Sequence, residues 1–394
     1  MKPRVVITTE IISPYRIPVF NVLAEHPDVD LHVIFLAETD SSMRRWKVYK
    51  DEIHFSYEVL PHWRSRVAGY NVLLNRGVAS ALERAHPDVI VCGGYGYPAS
   101  WQVLGWARRH KRPMFLWSES NQQDQRRGMP HVEMLKRRFI RACSGFVVPG
   151  KSAAAYVETF GVPRERIFVA PNAVDNPFFS HQASAARSRA AEMRRQFGLP
   201  ERYFLCVSRL IFAKGVFDLM EAYSRLAPEL RASSELLFVG DGVEQSALEA
   251  RAAAIHPGKV RFTGFAHREQ LPVYYALAEA LVFPTHSDTW GLVVNEAMAC
   301  GIPIVVSDAA GCVPDLVEDG WNGYVVPKQV PEKLSEALAK IARATDLNAA
   351  MGAHSAQRVE KNSPHACAAG FVDAVNAAIV NASGLPRANG RAQC

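Results

Sequence analysis

Short apolar runs alternate with longer stretches of helical period along almost the whole chain. In the first half the runs fall at residues 5–8, 31–35, 89–92, 114–117, 146–148 and 167–170. In the second half they fall at 204–207, 236–239, 260–262, 281–283, 304–306 and 324–326. Rich in Val, Ile and Phe and without polar alternation, they have the character of parallel strands covered on both faces. Helical segments between such runs predict repeated βαβ units and doubly wound sheets. After Pro171-Asn172-Ala173-Val174-Asp175 the pattern changes to HQASAARSRAAEMRRQ, and a strand restarts at Phe204. The chain thus predicts two similarly built α/β domains facing across a cleft, at 1–178 and 190–360. A last helix from about 364 is expected to cross back, so that 362–394 joins the first domain, with a frayed tail.

Composition narrows the class. A chain of 394 residues is too long for one core and comfortable for two. No apolar run reaches membrane-spanning length, and MKPRVVITTE enters a strand at once without a signal-peptide apolar region, which predicts a cytoplasmic protein. Seven scattered cysteines, never in C-x-x-C spacing, argue against a disulfide framework or a structural zinc site. The net charge of +6 is carried entirely by the first 175 residues. It gathers at Arg108-Arg109-His110-Lys111-Arg112, Arg126-Arg127, and Lys136-Arg137-Arg138 with Arg141. Such clusters attract anionic lipid surfaces or acidic substrates, or are simply solvated helix faces. Without an aromatic-interleaved basic motif, nucleic acid is not an expected partner.

The densest chemistry lies at 283–301, FPTHSDTWGLVVNEAMACG. A buried strand ends there in a polar loop that feeds a helix beginning near Gly291. A helix start offers amides without intrahelical partners and the positive end of a dipole, a natural seat for phosphate. Asp288 and Glu296 lie eight residues apart across the junction, and carboxylates accept hydrogen bonds from vicinal hydroxyls. Phosphate plus polyol points to a sugar nucleotide. Other strand ends carry compatible residues. Arg209 and Lys214 in SRLIFAKG can neutralise a diphosphate. Val239-Gly240-Asp241-Gly242 makes a tight turn, and Phe265 in FTGF can wall a nucleobase. These loops leave the edge of a parallel sheet where ligands bind.

These segments, with DLVEDGWNGYVV, resemble the retaining glycosyltransferases of family 4, which have the GT-B fold of two Rossmann-like domains. The resemblance covers roughly residues 203–328. PNAVD at 171–175 is similar to the family's interdomain segment, and the first domain matches mainly at VVPGKSAAAYVETFGVPRERIFVAPNAVD. The resemblance implies that Glu296 binds ribose hydroxyls and that Arg209 and Lys214 hold the diphosphate. It also implies that the amides of Gly291, Leu292 and Val293 meet phosphate. Asp288 takes the first position of the family's E-x7-E pair, which touches the donor sugar; here the pair is D-x7-E, and Asp288 could instead cap the helix. Gly240 and Phe265 would complete the donor site. The first loop, 9–16, lacks the glycines many relatives place near the donor phosphate; either Arg16 compensates or the loop serves the acceptor. Where many members carry a histidine, this chain has Ser118-Glu119-Ser120, which makes Glu119 the candidate for that place, as an acceptor-orienting group or a weak base.

The resemblance further implies transfer from a nucleoside-diphosphate sugar to a glycan, glycolipid or small-molecule acceptor, with retention and without a metal. No nucleophile stands out, which fits a front-face path. Asp28-Val29-Asp30 is a literal D-x-D, but it precedes a strand, the wrong edge for a ligand, and is expected to be a solvated turn. Two alternatives remain open: a non-catalytic sugar-nucleotide binder of the same fold, and a nicotinamide-dependent oxidoreductase. The second rests on Gly94-Tyr95-Gly96-Tyr97-Pro98-Ala99, which follows a later strand rather than the first of a Rossmann unit.

Overall fold

Each apolar run becomes a parallel strand, and the central runs, such as 89–92, 204–207 and 304–306, are buried on both faces. The computed structural model describes residues 2–40, 46–67, 70–124, 130–255 and 259–383. Arg126, Arg127 and the tail from 384 onward lie outside the described residues. The chain divides into two units. The first runs from the N-terminus through Pro171, apart from Asn121–Asp124, and takes up the chain again from Pro364. The second holds Asn121–Asp124 and Asn172–Ser363.

In the first unit the elements run β1 (Arg4–Thr9), α1 (Ile17–Glu25), β2 (Asp30–Phe35), β3 (Ser56–Val59), β4 (His62–Val67), β5 (Tyr70–Asn75) and α2 (Val78–Ala85). They continue with β6 (Val89–Gly93), α3 (Pro98–Arg109), β7 (Met114–Trp117), α4 (Pro130–Ala142), β8 (Gly145–Val148), α5 (Lys151–Glu158) and β9 (Ile167–Val169). Seven strands form a parallel sheet in the order β3-β2-β1-β6-β7-β8-β9, and β4 and β5 form a separate antiparallel hairpin. The hairpin and the edge strand β3 are absent from the sequence-based expectation. The physical reason is visible in the hairpin, where buried Leu73 alternates with exposed Leu74 and faces Arg64.

The second unit repeats the plan. Its elements are α6 (Asn176–Ser188), α7 (Ala190–Phe197), β10 (Tyr203–Val207), α8 (Val216–Ser224), α9 (Pro228–Ser233), β11 (Glu235–Val239), α10 (Gln245–Ile255), β12 (Val260–Phe262) and α11 (Leu271–Ala276). Then follow β13 (Ala280–Phe283), α12 (Leu292–Ala299), β14 (Ile304–Ser307), α13 (Val313–Leu316), β15 (Gly323–Val326), α14 (Pro331–Arg343) and α15 (Thr345–Val359). The sheet order is β12-β11-β10-β13-β14-β15, all parallel. Helix α14 shows why the covering layers form. Proline opens it, and Leu334, Leu338 and Ile341 at helical spacing are buried against the sheet. Each such side chain contributes roughly 1.5–3 kcal/mol of burial. The last helix, α16 (Pro364–Ser383), packs on α1 in the first unit, with Phe371 edge-on to Trp117.

Both sheets reverse their strand order at one point, between β1 and β6 and between β10 and β13. Open α/β sheets leave a ligand-sized gap at that switch point, outside the carboxyl ends of the strands. In the second unit the two loops flanking the gap are 208–215 and 284–291.

Candidate functional site

Loop 208–215 leaves β10 and loop 284–291 leaves β13, and two glycines set their geometry. Gly215 has φ 67°, and a Cβ there would stand 1.9 Å from the Pro284 carbonyl oxygen. A side chain is therefore excluded where the two loops meet. Gly291 has φ 101° and is the N-cap of α12; a Cβ would meet the Phe283 ring at 2.7 Å. Asp288 is thus not the helix cap. Its Oδ1 accepts from the Trp290 amide at 3.0 Å, one residue before the cap. Its Oδ2 pairs with the Lys214 ammonium, and both side chains are less than a fifth exposed. Lys214 and Asp288, which the family resemblance assigns to the diphosphate and the donor sugar respectively, are ion-pair partners.

The amides of Gly291, Leu292 and Val293 open α12, and a helix start leaves such donors without intrahelical partners. The register of this helix is held from its inner side. Trp290 Nε1 donates to Asn295 Oδ1 at 2.8 Å, and Asn295 Nδ2 donates to the Asn172 carbonyl at 2.9 Å. From outside, Asn121 Nδ2 donates to the Asp288 carbonyl at 3.0 Å. One turn into the helix, Glu296 Oε2 accepts from the Tyr275 hydroxyl at 2.7 Å. Burial pushes the Glu296 carboxyl up to about 7, against the opposing pull of that hydroxyl. A carboxylate held on one oxygen by a tyrosine keeps capacity on the other for a vicinal diol.

Arg209 is exposed in the loop after β10. The Gly240 amide donates to the Gly264 carbonyl at 2.8 Å, which ties the ends of β11 and β12 together. Phe265 is 40% exposed, edge-on to His267 at 5.1 Å. Sequence reasoning did not single out Tyr275, Asn121, His286 or Asp218. PNAVD contained the signal for Asn172 without indicating its partner.

In the first unit, Arg16 precedes α1 and ion-pairs with Glu119, with its guanidinium 4.0 Å over the Trp117 ring. Burial pulls its pKa down. The candidate compensating cation and the candidate acceptor-orienting carboxylate are therefore partners. At the nearby switch point, Arg64 Nη1 and Nη2 both donate to Glu10 Oε1 at 3.2 Å, and Nη1 donates to Asp40 at 2.5 Å. Gly94 follows β6 rather than the first strand, and burial followed by nearby Glu10 drives the Tyr97 hydroxyl pKa up. Asp30 accepts from Arg4 at 2.6 Å at the amino-terminal edge of β2.

The six described cysteines are buried and unpaired. Among the described residues no group of three or more His, Cys, Asp or Glu side chains is placed to hold a metal. None of the described helices is long and apolar enough to cross a membrane.

Two parallel-sheet α/β units, each with its strand order reversing at one point, define the GT-B class of folds. Solved structures with this fold match nearly end to end. Anabaena HepE in complex with UDP superposes with a TM-score of 0.72 at 18% identity, covering 96% of this chain and all of that one. Sucrose-phosphate synthase from Thermosynechococcus elongatus gives 0.72 at 19% identity, covering 97% of this chain and 100% of its own. A model described as Glycosyltransferase Family 4 matches residues 23–176, and one described as Glycosyl transferases group 1 matches 190–358. The chain belongs to the family 4 glycosyltransferases.

Among its relatives, the alpha-D-kanosaminyltransferase of Streptomyces kanamyceticus is 32% identical over 43% of this chain and 44% of its own. The GDP-mannose-dependent alpha-(1-6)-phosphatidylinositol monomannoside mannosyltransferase of Mycolicibacterium smegmatis is 30% identical over 68% of this chain and 65% of its own. The chain spans about half the length of the first curated relatives it matches.

Proposed function

We propose that the protein transfers a hexosyl group from a nucleoside-diphosphate sugar to an acceptor hydroxyl, with retention at the anomeric carbon. The observation that carries this is the convergence of Glu296, the start of α12, Lys214 and Asp288 at one switch point. Glu296 takes the ribose, and the first amides of α12 take a phosphate. Arg209 and Lys214 neutralise the diphosphate as it leaves. Asp288 is released from Lys214 to reach the sugar hydroxyls, and Gly240 and Phe265 flank the nucleotide. The bond from the anomeric carbon to the phosphate oxygen breaks, and the acceptor oxygen bonds the same face. The acceptor proton passes to the departing diphosphate oxygen, so no side chain need serve as nucleophile. Fixed cations and helix amides supply the charge stabilisation. We read the reaction as metal-independent, with turnover unchanged by EDTA.

The acceptor is a glycan, glycolipid or small molecule taken by the first unit. Glu119 orients it, and Arg16 holds Glu119. Polysaccharide or glycolipid precursor assembly in the cytoplasm is the setting this favours. A thermal-shift panel of UDP-, GDP- and ADP-sugars tests the donor. At a concentration of 100 Kd the cognate donor adds about 2.7 kcal/mol, a rise of several degrees. Released nucleotide and a product with the donor's own anomeric configuration, followed by proton NMR, complete the test. Binding without turnover would favour a non-catalytic sugar-nucleotide binder, and no response from any donor would overturn the proposal.

Peripheral contact with anionic lipid is part of the same proposal, and we place it on α4. Val132, Met134 and Leu135 are 47%, 64% and 46% exposed there, beside exposed Arg137, Arg138 and Arg141. Apolar and basic groups on one helix suit a headgroup boundary. Vesicles of phosphatidylcholine with phosphatidylglycerol are expected to co-sediment the protein, and phosphatidylcholine alone is not. Met134→Glu with Leu135→Glu is expected to abolish the binding. Equal sedimentation with both vesicle types would refute this contact.

A further inference from the structure

Beside Lys214 lies a histidine–aspartate pair to which the proposed reaction gives no task. His286 stands two residues before Asp288, and Asp218 lies in the first turn of α8, four residues after Lys214. His286 Nε2 and Asp218 Oδ2 are 2.7 Å apart. The two side chains are 12% and 21% exposed, so the pair is largely shielded from water. A carboxylate can only accept, so Nε2 carries the shared proton.

The pair is one of several ties between the same two loops. The His286 amide donates to the Ala213 carbonyl at 2.9 Å, and Thr285 Oγ1 donates to that oxygen at 3.1 Å. The imidazole packs edge-on against Phe212, with ring centroids 5.0 Å apart. Phe212, Ala213 and Lys214 form a single 3-10 turn. His286 thus grips this turn by backbone and by ring, and reaches past it to the helix that follows. The Lys214 side chain is long and flexible, so the position of its ammonium depends on how firmly its backbone is held.

We infer that His286 and Asp218 form a positioning clamp that fixes the Lys214 turn against the loop bearing Asp288. The clamp rests on the donor reading given above, since its purpose is to aim Lys214 at the leaving diphosphate. Neither residue touches the reacting atoms. Both act through Lys214, where displacements of about 1 Å can cost roughly 100-fold in rate.

Three variants test the clamp. His286→Ala removes the ring and the shared proton. His286→Gln keeps a side-chain donor for Asp218, and Asp218→Ala removes the acceptor. The alanine variants are expected to lower kcat roughly 10- to 100-fold, with the acceptor KM unchanged. His286→Gln is expected to recover most of the loss, and the double alanine variant should be no worse than either single one. Hydrogen–deuterium exchange of the peptide spanning 208–216 should quicken in the alanine variants and return in His286→Gln. Looser exchange with wild-type kcat would show a tie of structure alone and overturn the inference.

If wild-type protein neither binds nor turns over any nucleotide sugar, that failure belongs to the donor reading. The clamp is then judged by exchange alone, and unchanged exchange at 208–216 in His286→Ala overturns it.

Discussion

Replacing Arg209 and Lys214 together by alanine is expected to lower turnover at least about 1000-fold while the protein stays folded. Removing a single group that stabilises developing charge costs roughly 100- to 1000-fold in rate, and both cations are assigned to the same diphosphate. The two single variants should separate rate from stability. Arg209 is exposed, so its loss should change folding stability by no more than about 1 kcal/mol. Lys214 is paired with Asp288 in a site largely closed to water. Its removal leaves that carboxylate without its cation, at a cost of about 1–3 kcal/mol. Adding Asp288→Asn should recover part of this stability and none of the rate. Initial rates and urea unfolding of the four proteins decide the matter. A folded double variant with wild-type turnover would remove both residues from the leaving-group role.

Glu296→Gln should make the free protein more stable in alkali and less able to bind nucleotide. The Glu296 carboxyl is raised by burial from an ordinary value of 4.5 to about 7. A raised carboxyl favours the folded state while it is neutral. That contribution is whole below 4.5 and is lost as the pH climbs through 7. Above that point folding must bear the ionised group, at a cost of about 3 kcal/mol before solvent access is counted. Glutamine still accepts from the Tyr275 hydroxyl and never ionises. Its melting temperature should exceed that of the wild type at pH 8.5, with the gap closing towards pH 4.5. Nucleotide affinity should fall 10- to 100-fold, from the roughly 1.5–3 kcal/mol carried by hydrogen bonds to a charged group. Wild-type affinity should itself strengthen as the pH rises through 7. A melting difference that does not vary with pH would show that Glu296 is already ionised when free.

The parallel strands were legible because their signal is local. Runs such as Ile304-Val305-Val306 and Phe204-Leu205-Cys206-Val207 have no polar positions, and only a doubly covered sheet accepts them. The hairpin from His62 to Asn75 was hidden by its mixed pattern, in which Trp63 and Leu74 face water. The site divided in the same way. Gly291, Glu296, Arg209 and Lys214 could be singled out because they sit at strand ends or at a helix start. Their partners could not, because those are set by tertiary closure. Lys214 meets Asp288 across 74 positions, Tyr275 reaches Glu296 from another helix, and Arg16 finds Glu119 across 103. Charge type along the chain indicates that such groups seek partners, and says little about which ones they find.

The hydrogen bond from Asn295 to the Asn172 carbonyl bears on how the second unit could be excised. The matching family model begins at residue 190, and a fragment cut there would omit Asn172 and the tether from Asn176 to the Val359 carbonyl. It would keep every strand of the sheet yet leave the Asn295 side-chain amide, buried on the inner face of α12, without its acceptor. An unpaired buried donor costs about 1–3 kcal/mol, borne by the helix that carries Glu296. A fragment meant for soaking with nucleotides should therefore begin ahead of Asn172.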